Sequence, residues 1–143
     1  MYFQSWQFAH AAGDLNRYLG LEPDNKHGAI WVYLARRRAG QPADKDLAAF
    51  AATHVKDQTA WPGPLFDMLT GRIDAAKCLA QTRKPLGVRY EILRRGRLCE
   101  AYYYIAQYEL ITDRTDKARE FLQQCVATKS THVFEYTAAK AEL

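Results

Sequence analysis

The sequence predicts an all-α protein, built as an array of helical hairpins that ends in a C-terminal capping helix. Apolar residues recur at intervals of three and four positions through most of the chain, which is typical of amphipathic helices. Ala and Leu are abundant, β-branched residues rarely come in runs, and Gly and Pro lie between the periodic segments. We expect roughly eight helices and no strand from this pattern.

Turn residues bound the predicted helices. Pro23 ends the first, because proline cannot continue a helix, and Gly40 with Pro42 ends the second. Asp74 is placed to cap a later helix, and Gly96 marks a point where the longest helix could break. In chain order, the predicted helices cover about 8–19, 27–38, 43–54, 65–70, 75–82, 88–112, 115–128 and 134–142.

A chain of 143 residues predicts a single domain. Its clearest internal break is Trp61-Pro62-Gly63-Pro64, a turn followed by a proline suited to the first turn of a helix. Tyr2-Phe3-Gln4-Ser5 also matches the end of a protease-tag scar, but Tyr2 and Phe3 fit core positions, so we favour native sequence. The predicted segments are 1–25 (a partial or first repeat), 26–58 (a second hairpin), 61–84 (a degenerate hairpin), 88–131 (a C-terminal repeat) and 132–143 (the capping helix).

Composition narrows the class of protein. The net charge of +4 is below that of a dedicated nucleic-acid binder, so we do not expect nucleic acid as the partner. Cys78, Cys99 and Cys125 are far apart and odd in number, which argues against a disulfide scaffold or a zinc site and favours gap-filling between helices. No apolar run is long enough to span a membrane. No signal peptide is visible, so the compartment, cytoplasmic or periplasmic, stays open.

Two segments, 2–25 and 100–131, resemble the tetratricopeptide repeat (TPR), a helix–turn–helix of about 34 residues. The second departs from the family pattern, since Asp113 replaces the usual turn glycine and no proline follows Thr128. The C-terminal layout is also similar to bacterial TPR proteins, including some envelope lipoproteins. The matching residues are Phe8, Ala11, Leu15, Leu21 and Pro23 in the first segment, Ala101, Tyr102, Ile105, Ala106, Ala118 and Phe121 in the last, and Gly40, Gly71, Ile73 and Ala76 in two degenerate inner units.

The TPR resemblance implies a concave groove that binds a peptide. It aims Tyr103, Gln107, Leu110 and Ile111 from the last unit, and Ile30, Leu34, Arg37 and Arg38 from the second, at that groove. Such a groove is mostly apolar with a basic edge, and it lacks the Lys and Asn set of the TPR carboxylate clamp. Alternatively, the tyrosines at 102–104 and 108 are core between helices, and the arginines at 36–38 and at 94, 95 and 97 are solvated helix faces.

The resemblance implies a non-catalytic scaffold that holds a peptide or helix of a partner protein in its concave face. A structural or self-association module, with the chain as a homo-oligomer, is the alternative, followed by a helical repeat that binds RNA or an anionic surface. We expect no enzyme, cofactor or metal, because the glycines sit singly and the histidines form no His-x-x-x-His pair and no Cys–His arrangement close in sequence. The four histidines are His10, His27, His54 and His132.

Overall fold

A computed structural model describes residues 8–143, except the side chains of Phe8, Ala9, Leu15, Tyr18 and Leu19. All regular structure in this range is helical, so the all-α prediction is confirmed, whereas the core positions predicted for Tyr2 and Phe3 lie outside it. A 3₁₀ turn, Val88–Tyr90, leads into the longest helix. The helices are α1 (Phe8–Leu21), α2 (Lys26–Arg38), α3 (Asp44–His54), α4 (Gly63–Leu69), α5 (Ala75–Thr82), α6 (Glu91–Ile111), α7 (Thr115–Ala127) and α8 (Phe134–Glu142).

Helix α6 runs through Gly96 without a break. A Cβ atom at this position would lie 3.1 Å from Nε2 of His132 and 3.4 Å from Cγ1 of Val133, in the turn before α8. Gly96 therefore serves close packing and does not interrupt the helix.

The described contacts group into two compact units, Met1–Phe66 and Asp67–Leu143, and their boundary falls inside α4. Whether the chain is one domain, as its length predicts, stays a prediction.

In the first unit, α2 packs against both α1 and α3. Asn25 caps α2, because its side-chain oxygen accepts a hydrogen bond of 2.8 Å from the backbone N–H of Gly28. Every residue of α2 from Gly28 to Ala35 is buried. Ala11 of α1 is also buried, and its small side chain allows close helix packing.

In the second unit, α6 is central, since α5, α7 and α8 all pack against it. Its core residues Tyr103, Tyr104, Ile105 and Ala106 have no exposed surface. The turn from α6 to α7 places Asp113 at φ 61°, in the left-handed region where glycine is usual and where Asp is tolerated better than most residues. Asp113 can therefore replace the turn glycine of the TPR pattern.

We predict that Ala118→Leu lowers the free energy of unfolding by roughly 1–3 kcal/mol, because extra methylene groups overpack a filled core. Ala118 lies on α7 at only 1% exposure, within the α6–α7 hairpin. Urea denaturation followed by circular dichroism measures the change. Glu120→Ala, at an exposed position of the same helix, is the control and should leave stability unchanged. Equal stability of both variants would show that Ala118 is not at a tight contact.

Candidate interaction surface

The structure places the C-terminal set of predicted groove residues mainly in the core. Tyr103 and Gln107 are fully buried, while Leu110 and Ile111 are half-buried. The Tyr103 hydroxyl donates a hydrogen bond of 3.1 Å to Oε1 of Glu142, and the Gln107 amide donates one of 3.0 Å to the same atom. These two side chains therefore join α6 to α8.

The N-terminal set is divided in the same way. Ile30 and Leu34 have no exposed surface. Arg37 is half-buried and lies 2.6 Å from a carboxylate oxygen of Asp44, and Arg38 is half-buried too. The four buried side chains do not offer surface to a partner in this conformation, so a peptide groove stays a prediction that rests on the four half-buried residues.

The tyrosines of α6 have different roles. The Tyr104 hydroxyl donates a hydrogen bond of 2.6 Å to buried Glu135. Burial, together with the Glu135 charge, raises the pKa of Tyr104 well above its ordinary value, so this side chain stays a neutral donor. Tyr102 is half-buried, stacks on Phe121 with ring centroids 6.4 Å apart, and accepts a hydrogen bond of 2.9 Å from Arg83.

A different stretch of the second unit exposes apolar side chains. Eight large apolar side chains are exposed in the described part of the chain, and five of them lie within residues 86–93. Val88 is 96% exposed and Ile92 is 63% exposed. Isolated apolar residues are common on surfaces, whereas this stretch exposes five of them within eight positions. We call this cluster the exposed apolar segment: Leu86, Val88, Tyr90, Ile92 and Leu93.

Local chain geometry explains why this segment is exposed. Gly87 has φ 93°, a left-handed value that suits glycine, and its carbonyl accepts a hydrogen bond of 3.0 Å from the N–H of Tyr90. The chain therefore turns at Gly87 before α6 begins. Every residue from Arg83 to Leu93 is exposed, and the first buried residue of α6 is Gly96.

Positive charge surrounds the exposed apolar segment. Five cations and one anion lie between Arg83 and Arg95. The anion, Glu91, makes a two-point contact with Arg94, with hydrogen bonds of 2.9 and 2.6 Å. The hydrogen bond from Arg94 lowers the pKa of Glu91, so this carboxylate is ionised at neutral pH. The segment therefore combines exposed apolar side chains with a net positive charge.

The sequence pattern predicts one helix over 88–112 and does not single out this segment as exposed. A signal was present: Leu86, Val88, Tyr90 and Ile92 are spaced by two positions, which does not match the apolar face of a helix. These side chains alternate as they would in a strand, but no neighbouring stretch has a strand pattern. The helices therefore do not cover them.

The first unit contains an open cavity of about 630 Å³ between the turn after α1 and the end of α3. The structure brings His54 and Asp24 together there, with Nδ1 2.7 Å from Oδ1, although the sequence predicts an isolated histidine. Lys26, Lys56 and Trp61 are among the other lining residues. No Ser or Cys is among the described residues that line it.

No family model matches the sequence, and no curated protein or solved structure matches it. Across residues 8–143, no helix is long and apolar enough to cross a membrane. In the same range, no group of three His, Cys, Asp or Glu side chains is arranged to hold a metal ion.

We predict that Tyr103→Ala lowers the free energy of unfolding by about 3–5 kcal/mol, because it leaves a cavity where an aromatic ring is fully buried. Tyr103→Phe should cost only about 1 kcal/mol, since it removes just the hydrogen bond to Glu142. Urea denaturation measures both. Tyr90→Ala is the matched control on an exposed tyrosine and should change stability by less than about 0.5 kcal/mol. A fully stable Tyr103→Ala would instead support a groove position for this residue.

Proposed function

We propose that this chain is a non-catalytic protein-interaction module whose exposed apolar segment binds an amphipathic, acidic segment of a partner protein. The observation that carries the proposal is the concentration of exposed apolar side chains within residues 86–93, on a stretch with net positive charge. The site is therefore an exposed stretch that includes the start of α6, and it does not depend on a concave groove.

Burial of this segment supplies the affinity. Transfer of an exposed Val or Ile side chain out of water contributes about 1.5–3 kcal/mol when it is complete. Val88 and Ile92 are mostly exposed, so a partner can bury most of their surface. Tyr90 and the neighbouring arginines are of the residue types that dominate binding energy in protein interfaces.

The charges select the partner. Arg89 and Arg95 are exposed beside the apolar side chains, and a guanidinium group binds a carboxylate through two hydrogen bonds. Glu91 is already paired with Arg94, so it repels an acidic partner less than a lone carboxylate would. An apolar helix face edged by Asp or Glu fits this combination.

We infer further that the helical hairpins are units of TPR type. Two features support this. Buried alanines, Ala11 and Ala118, lie in the first and the last hairpin. Residues with left-handed backbone conformation, Gly40, Gly71 and Asp113, follow α2, α4 and α6, where each helix turns into the next. A TPR array is a common protein-binding scaffold, which agrees with the proposed interaction role.

We predict that the double variant Val88→Ser, Ile92→Ser weakens binding of an acidic amphipathic peptide at least about tenfold, since it removes more than 1.4 kcal/mol of apolar burial. The probe is a synthetic peptide of about five helical turns, with Leu on one face and Glu on the other. Fluorescence anisotropy measures the dissociation constant, which should also rise with salt.

Two controls make this test specific. Leu21→Ser changes an apolar side chain that is 82% exposed in the first unit, and it should leave peptide affinity unchanged. A peptide with Lys in place of Glu should not bind. If the acidic peptide binds the double variant as well as the parent chain, the exposed apolar segment is not the binding site.

The same variants separate the alternatives. A dimer in sedimentation equilibrium that the double variant abolishes, without peptide binding, would indicate self-association through this segment. Tighter binding to vesicles of anionic lipid than to the acidic peptide would indicate an anionic surface as the partner.

A further inference from the structure

Two buried thiols face each other between α6 and α7. The sulfur atoms of Cys99 and Cys125 are 3.2 Å apart, and neither residue has exposed surface. The two cysteines are 26 positions apart in sequence and are brought together by the α6–α7 hairpin. Both are free thiols.

We propose that Cys99 and Cys125 form a redox modification site, at which a peroxide converts the thiol pair into a disulfide. This inference stands on the geometry of the hairpin and is independent of the proposed partner binding. A disulfide has a sulfur–sulfur bond of about 2.05 Å, so the two sulfurs have to approach by about 1 Å.

The hydrogen bonds around the pair give the two thiols different roles. The pKa of Cys99 is lowered, chiefly by its hydrogen-bond contact with the Cys125 thiol. The pKa of Cys125 is raised by that same hydrogen bond and by burial. The thiolate is the reactive form of cysteine, so the direction of these shifts favours Cys99 for the first attack and Cys125 for the second.

The reaction balances with hydrogen peroxide as the oxidant. The Cys99 thiolate attacks one peroxide oxygen, the O–O bond breaks, and a sulfenic acid and hydroxide form. The Cys125 sulfur then attacks the Cys99 sulfur, the S–S bond forms, the S–O bond breaks, and the leaving hydroxyl takes the Cys125 proton as water. The hydroxide takes the proton that Cys99 had lost. Two thiols are oxidised, and one peroxide is reduced to two waters.

Cys78 provides an internal control. It lies on α5 with no exposed surface, and burial raises its pKa to about 12. The other two cysteines of the chain contact each other, so Cys78 has no cysteine with which to form an internal disulfide while they are paired. A neutral thiol of this kind reacts slowly with peroxide. All three cysteines are fully buried. A difference in peroxide oxidation between Cys78 and the pair therefore reflects the hairpin geometry and not burial.

The test treats the full chain with hydrogen peroxide, blocks remaining thiols in denaturant, and maps tryptic peptides without reductant. Trypsin separates the cysteines into peptides 78–83, 98–114 and 120–129. We expect a cross-link between 98–114 and 120–129 that dithiothreitol removes, with Cys78 still alkylated. We also expect a rise of about 5–10 °C in the melting temperature, because the disulfide restricts the unfolded chain.

Two cysteine variants test which residues form the cross-link. Cys125→Ala should abolish the cross-link, because it removes the thiol that lies beside Cys99. Cys78→Ala should form the cross-link in full. If Cys125→Ala does not fold, peptide mapping of the parent chain still decides the question. Alkylation of Cys99 and Cys125 to the same extent as Cys78 after peroxide treatment, or a cross-link that includes Cys78, would overturn the proposal.

Discussion

The hydrogen bonds between α6 and α8 are the constraint on which the second unit depends. Glu135 accepts from Tyr104, and Glu142 accepts from both Tyr103 and Gln107. These polar atoms lie at buried or half-buried positions, where an unpaired hydroxyl or carboxylate would be costly. Helix α8 therefore accepts hydrogen bonds from the hydroxyl groups of two tyrosines whose rings lie in the core. Without α8, the centre of α6 would expose two tyrosine rings and a glutamine.

This arrangement divides α6 into two parts. From Gly96 onward its residues contact α7, the turn before α8, and α8 itself, and most are buried. Before Gly96, α6 and the 3₁₀ turn expose Val88, Tyr90 and Ile92. Helix α8 occupies part of the face that the TPR resemblance assigned to a ligand, because Tyr103 and Gln107 hydrogen-bond to Glu142, and the exposed apolar side chains of α6 lie before Gly96.

Local signals predicted the helices well, whereas the burial of the predicted groove residues depends on distant pairs. Pro23 and the cap at Asp74 act within a few residues, and the helix bounds agree with them. The burial of Tyr103 depends on Glu142, 39 positions away, and a shift of one residue turns a side chain by about 100° around the helix. Asp24 and His54 are likewise joined only by tertiary packing. Periodicity finds helices, but it does not say which later helix will cover a given face.

The α6–α7 hairpin is held at both ends by different means. Near its turn, Asp113 adopts the left-handed conformation and Ala118 allows close contact. Toward the other end of the hairpin, near the exposed part of α6, Cys99 of α6 contacts Cys125 of α7. Cys99 follows Leu93 by fewer than two helical turns. A covalent bond there would strengthen the hairpin next to the exposed apolar segment without using any side chain of that segment.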